Sequence, residues 1–302
     1  MSVHQTRRIQ SDSGGFDDTI AFSDLEIGTQ IPERGSSALY IGKWKKEFNS
    51  AGTHKTSEKV ANDVNVAIKI CSTTPNEAFP LEVGIFRSIT PHPNIVHYHG
   101  VAFDSPCYHA YIVMEHLTGV SLHTHLHNEK HKPTVDQSVA WALQLANALE
   151  HLHNNPCYVV HCNLTSSSVL LSSNGDIKLC GFGSAQFSGH PTDHSKIARK
   201  GRWTAPEILD SKESVIDPTC DTFSYGMILF ELFVHREPFH DETSNIRVAV
   251  KILKGKRPQI PPTTPDMEYV HRLMQACWAH EPKDRPTFQT IAKTLNTKSF
   301  NV

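Results

Sequence analysis

The sequence has no excess of either charge: 29 Lys and Arg stand against 31 Asp and Glu in 302 residues. It therefore lacks the overall basic footprint of a protein that tracks a phosphate backbone, which argues against nucleic acid as a partner. No run approaches the ~20 apolar residues of a membrane-spanning helix, and the nearest, Tyr225 to Val234, is interrupted by Glu231. The first residues contain no apolar signal core. The seven Cys are odd in number and include no C-x-x-C pair. Both absences predict a reduced, cytoplasmic protein. No internal repeat or heptad array is visible, and 38% hydrophobic with 20% charged residues excludes wholesale disorder and collagen-like classes.

The length allows one large domain or two small ones, at ~100–200 residues each. Residues 1–22 are rich in Ser, Asp, Gly and Gln and are expected to form a disordered tail; Arg7-Arg8-Ile9-Gln10-Ser11 within it matches a basic-directed phosphorylation pattern. From Leu25 to His116 short β-branched and aromatic runs predict strands at Leu39-Tyr40-Ile41, Val64 to Ile70, Ile95 to Val101 and Tyr111 to Met114. The polar stretch between Trp44 and Val64 is expected to be an exposed loop between two hairpin strands. The second half reads as helical. Ala142, Leu145, Ala146, Leu149 and Leu152 recur at spacings of three and four, and Phe223 to Val234 is apolar nearly all round. Among the 20 His, His123, His125 and His127 alternate, which suits a zinc site poorly and predicts solvent-facing rings.

On the strand Val66-Ala67-Ile68-Lys69, Ala67 and Lys69 point to one side, a small apolar group beside a long-stemmed cation, which suits a nucleotide. Glu82 follows in a segment able to form a helix. At this point the chain resembles the protein kinases. The resemblance runs from Leu25 to Leu295 through His92-Pro-Asn-Ile-Val, the hinge-like Ile112-Val-Met-Glu115, Ala205-Pro-Glu207, Asp221-Thr-Phe-Ser-Tyr-Gly and Arg285-Pro-Thr-Phe. Gly42-Lys-Trp, Ser121-Leu122 and Gln275-Ala-Cys-Trp are similar to the tyrosine-kinase-like group of Raf, mixed-lineage and integrin-linked types. The resemblance implies an α+β, bilobal protein-kinase fold over residues 23–297. Its N-lobe (23–113) would be an antiparallel sheet with one helix, followed by a hinge (114–118), a mainly helical C-lobe (119–297) and a short tail (298–302). It also implies that Glu207 and Arg285 pair in the large lobe and that Asp221 holds the catalytic loop.

Phosphoryl transfer needs Mg²⁺ bridging the phosphates, carboxylates to hold it, and a base for the incoming hydroxyl. The family's catalytic loop appears here as His161-Cys-Asn163-Leu-Thr-Ser-Ser-Ser168. Asn163 replaces the base and has no proton affinity near pH 7. Ser168 replaces a metal-binding Asn, and Gly181-Phe-Gly replaces Asp-Phe-Gly, leaving no side-chain oxygen at Gly181. Pro32, Arg34 and Ser37 occupy glycine positions of the phosphate loop, so backbone capture of phosphate is disfavoured. Ser184, Ser188, Thr192, Ser195 and Thr204 read as soluble loop residues, and Cys162 and Cys180 as small buried thiols.

Scaffold positions, by the same resemblance, are kept. Tyr98, Phe86, Phe182 and His161 match the family's stacked side chains, and Leu39, Ala67 and Leu170, with Glu115 at the hinge and Lys69, match its nucleotide pocket. The expected function is a pseudokinase: a signalling scaffold or allosteric regulator of a partner kinase or other signalling protein, with no metal, and with ATP binding possible without Mg²⁺. The alternatives are a weak or atypical ATP-dependent protein kinase and a magnesium-independent ATP sensor.

Overall fold

Alternating β-branched and aromatic residues build a five-stranded sheet in the order β1-β2-β3-β5-β4. Its strands are β1 (Leu25–Ile31), β2 (Ala38–Asn49), β3 (Lys59–Ser72), β4 (Tyr98–Asp104) and β5 (His109–Glu115). The computed structural model describes residues 18–31, 38–49, 59–72, 79–104, 109–127, 132–154, 158–193, 201–210, 213–262 and 264–298. β1 and β2 are antiparallel with a register shift between Ile27 and Gln30, and β2 meets β3 from Ala38↔Ile70 to Asn49↔Lys59. Val66 and Ile68 point into a core shared with Ile20, Ala102, Tyr111 and Val113, so the period of two puts Ala67 and Lys69 on the opposite face.

Two expectations for this half need correction. The tail does not extend through Phe22: Ile20 is in the core with Phe22 packed beside it, and the chain pairs there with Val101, whose N–H donates to the Asp18 carbonyl. One buried Ile contributes ~1.5–3 kcal/mol, enough to dock a segment whose composition reads as polar. The stretch between Trp44 and Val64 is not all loop, because β2 and β3 continue as a hairpin to Asn49↔Lys59. Lys43, Lys45, Asn62 and Asp63 on it are exposed, and Lys43 and Asp63 form a 4.0 Å surface ion pair.

The chain divides into two compact units that interleave in sequence, Met1–Ser72 with His99–Met114, and Thr73–Tyr98 with Glu115–Val302. The helix α1 (Phe79–Ser88), expected within an N-lobe spanning 23–113, thus groups with the second unit. That unit also contains α2 (Leu122–His127), α3 (Val135–Asn154), α4 (Pro206–Asp210), α5 (Thr219–Val234), α6 (Asn245–Leu253), α7 (Glu268–Cys277) and α8 (Phe288–Thr297). In α3 the residues at three- and four-residue spacing are buried, with Thr134 Oγ1 accepting from the Gln137 N–H at its start. α5 is buried on every side and ends where His235 adopts a left-handed conformation. Among the described residues no helix is long and apolar enough to cross a membrane.

Short antiparallel pairs position the loops of interest. β6 (Val159–Val160) pairs with β9 (Gln186–Phe187), β7 (Val169–Leu171) with β8 (Ile177–Leu179), and β10 (Pro191–Asp193) with β11 (Glu213–Val215). Because the outer strands pair with each other and the inner strands with each other, the loops 161–168 and 180–185 must lie side by side. The end of β7 is tight: Leu171 N–H donates to the Val120 carbonyl, and a Cβ at Gly119 would collide with the Leu171 carbonyl. Gly119→Ala is expected to cost ~1–3 kcal/mol, read as a lower urea midpoint with an unchanged m-value.

Candidate functional site

The loop 161–168 hangs from a single carboxylate. Asp221, at the start of α5 and fully buried, accepts from the His161 N–H (2.7 Å) and the Cys162 N–H (3.0 Å), with His153 Nε2 3.0 Å away. A buried carboxylate is tolerated only when such donors replace water. Cys162 sits at φ 60, a left-handed geometry that the two bonds lock in place.

His161 begins a column of rings. Its ring lies 5.2 Å from Phe182, Phe182 lies 5.2 Å from Phe86 on α1, and Phe86 stacks on Tyr98 at 5.2 Å and 10°. Such contacts contribute ~0.5–1.5 kcal/mol each beyond area burial. His161 Nε2 is also 2.9 Å from the Cys180 carbonyl, which ties the two loops together. All four side chains belong to the second unit, so α1 is fixed to the 180–185 loop through Phe86.

Asn163, Ser168 and Gly181 meet inside this frame. Gly181 is left-handed (φ 83), and a Cβ built on it would touch Ser168 Cβ at 3.5 Å, an ordinary contact. The two positions are therefore adjacent, and neither offers a carboxylate to a cation. The Ser168 hydroxyl is consumed locally: it accepts from the Thr165 N–H (3.0 Å) and donates to the Thr165 carbonyl (2.8 Å), closing the turn 166–168. Asn163 donates its N–H to the His161 carbonyl, while its Oδ1 is buried with no hydrogen-bond partner among the described residues.

The positions assigned to nucleotide are placed as follows. Leu39 on β2 is directly opposite Lys69 on β3, and the buried Ala67 is opposite Ile41, all within the sheet unit. Leu170 on β7 is paired with Lys178 and bridged to Ser121 in the second unit. The Glu115 carboxylate is already engaged by Lys178 Nζ (2.8 Å) and the His97 N–H (3.1 Å). Glu82 on α1 is 6% exposed. Pro32, Arg34, Ser37, Ser195 and the Arg7–Ser11 pattern lie outside the described residues.

Arg285 and Glu207 meet as two parallel bonds of 2.6 and 2.8 Å. The remaining guanidinium N–H groups reach the carbonyls of Thr219, Ala279 and His280, so every donor is used. Burial raises the Cys162 thiol above its ordinary range and pushes Cys180 up to about 12, with the Glu115 charge adding to the latter. Ser184 and Thr204, expected as soluble loop residues, are instead buried.

Sequence reasoning missed a second buried carboxylate. Glu231, ten residues beyond Asp221 on α5 and 0% exposed, accepts from Ser166 Oγ (2.7 Å) and Trp203 Nε1 (2.7 Å), with His127 Nε2 at 3.0 Å. Its signal was present: an acid inside a helix that is apolar all round must be paired. The expectation for the alternating histidines is also corrected. His123 and His127 are half-buried and face carboxylates, while His125 packs edge-on against Trp141 at 5.2 Å. The two-residue alternation concealed the four-residue spacing that puts His123 and His127 on one helix face.

Two outcomes follow from this chemistry. Asp221→Asn would set an NH₂ group against a backbone N–H and is expected to cost ~2–4 kcal/mol in chemical denaturation. Burial and the Glu115 charge hold the Cys180 thiol protonated at pH 8; iodoacetamide should therefore modify it at a rate set by unfolding, read by peptide mass spectrometry across a urea series.

The comparisons with known proteins agree with this architecture. A family model described as protein tyrosine and serine/threonine kinase matches residues 34–295. The chain is 32% identical over 281 residues to dual specificity protein kinase pyk3 of Dictyostelium discoideum, covering 92% of the chain and 19% of that protein. It is 32% identical over 239 residues to mitogen-activated protein kinase kinase kinase 7 of Homo sapiens, covering 76% of the chain and 37% of that protein. The Drosophila melanogaster protein of the same name is 33% identical over 213 residues, covering 68% and 30%. The chain thus spans between a fifth and two fifths of the length of these relatives. With the match extending over most of its length and the bilobal α+β fold built around it, this chain belongs to the protein tyrosine and serine/threonine kinase family.

Proposed function

We propose that this kinase domain is a pseudokinase of the tyrosine-kinase-like group, a cytoplasmic signalling module that does not transfer phosphate itself. In this reading it binds a partner kinase or other signalling protein and shifts that partner between two states by differential contact. The observation that carries the reading is the pair Ser168 and Gly181. One side chain is a neutral hydroxyl engaged in closing its own turn and the other is a hydrogen atom, so neither supplies a carboxylate where a metal would need one. Mg²⁺ relies on hard oxygen ligands, typically one or two carboxylates, so these positions offer it no organised site. Asn163 adds a second deficit, because general-base help worth ~10²–10⁴ requires a group that takes up a proton.

The intact ring column supports a scaffold role, since it keeps α1 in one position without needing nucleotide. Retention of Lys69 and Glu82, together with relatives named as kinases, favours as second reading a weak or atypical kinase. A magnesium-independent ATP sensor would need the nucleotide positions Lys69, Ala67, Leu39 and Leu170 but no metal.

A thermal-shift series with ATP, ATP and Mg²⁺, and ATP and EDTA separates these readings, alongside transfer of labelled γ-phosphate to a generic protein substrate. The expected outcome is no transfer and no magnesium-dependent shift; a shift with ATP and EDTA alone identifies the sensor. Chelator-sensitive transfer abolished by Lys69→Met would overturn the proposal. In a partner assay, Phe86→Ala should reduce output markedly while Asn163→Asp with Gly181→Asp changes it little.

A further inference from the structure

We propose that His123, His127 and Glu237 form a zinc-binding site that ties α2 to the segment following α5. The two histidines lie four residues apart on α2, with ring centroids 4.6 Å apart. The left-handed turn at His235 brings Glu237 back over that face. One ligand atom from each of the three side chains lies within 4.8 Å of the others, and His123 Nε2 is 2.8 Å from Glu237 Oε1. Ligands bound at Zn–N and Zn–O lengths to a tetrahedral ion are ~3.4 Å apart, so small side-chain rotations bring the three into range. Two imidazoles and one carboxylate suit Zn²⁺ and are a poor set for Mg²⁺.

The surroundings support this assignment. Glu231 faces His127 Nε2 at 3.0 Å, which leaves Nδ1 for the ion and supplies the outer carboxylate that commonly orients a metal-bound imidazole. Arg202 approaches the other oxygen of Glu237, Oε2, at 3.5 Å, and its guanidinium is held by the carbonyls of Pro238, Phe239 and Glu242. Oε1 is thereby the oxygen presented to the histidines. The side chains are 20%, 21% and 36% exposed, which gives an ion an entry path and room for a solvent molecule as fourth ligand. Because Glu231 also holds Ser166 and Trp203, an occupied site would be one side chain removed from the 161–168 loop. This proposal is independent of whether the domain transfers phosphate.

The test is equilibrium dialysis of the full chain against Zn²⁺ with metal analysis, the visible spectrum of the Co²⁺-loaded protein, and melting temperature with Zn²⁺, Mg²⁺ or EDTA. The expected result is one tightly held equivalent of Zn²⁺, tetrahedral Co²⁺ bands, and a melting temperature raised by Zn²⁺ and unchanged by Mg²⁺. His123→Gln and Glu237→Gln should each weaken binding at least as much as the ~10–100-fold typical of losing an outer carboxylate, with metal-free melting temperatures close to the parent. His190→Gln, at an exposed ring elsewhere, should leave binding unchanged. Absence of stoichiometric Zn²⁺, or equal affinity in the parent and in His123→Gln and Glu237→Gln, would overturn the site and reduce these contacts to histidine–carboxylate hydrogen bonds.

Discussion

The second unit depends on two carboxylates buried in one helix. Asp221 and Glu231 lie ~15 Å apart along α5, and each would be severely destabilising if left without donors. Each gathers several: the His161 and Cys162 N–H groups with His153 at one end, and Ser166, Trp203 and His127 at the other. Most of these donors are neutral, so the carboxylates act as fixed acceptors around which loops must fold, and a half-satisfied arrangement would be worse than an apolar one. The loop 161–168 is pinned near both ends as a result, independently of nucleotide or metal.

This anchoring is one of several contacts that hold the frame of the domain. The ring column from Tyr98 to His161, the Arg285–Glu207 fork and the Asp221 bonds draw on packing and hydrogen bonding alone. None passes through a metal ligand or a base. Positions 163, 168 and 181 could therefore change without disturbing the fold, and Ser168 shows how: its hydroxyl closes the local turn that its neighbours form. A glycine at 181 also relieves a left-handed backbone of its side-chain penalty.

Much of the fold was legible in the residues. The alternation in Val66 to Lys69, the helical spacing in α3 and the all-apolar α5 each have one physical solution, because period and burial are coupled. The errors arose where neighbours far along the chain reverse a local tendency. Ile20 lies in a polar segment and still docks, because the sheet offers it a core site beside Val66 and Tyr111. Ser184 and Thr204 have loop-like character and are nonetheless covered. His123 and His127 were read by their nearest spacing, whereas their partners, Glu237 and Glu231, lie more than a hundred residues away.

Residue chemistry settles, without coordinates, which groups are able to bind a proton or an ion: glycine and serine at 181 and 168 offer no carboxylate, and an amide at 163 is no base. What it leaves open is which polar atoms are already used. Whether the Ser168 hydroxyl is available, whether Glu231 interrupts a helix or anchors a loop, and which histidines share a face depend on contacts between elements distant in sequence. Hydrogen bonds are short-ranged and directional, so the assembled fold, and no pattern along the chain, assigns their partners.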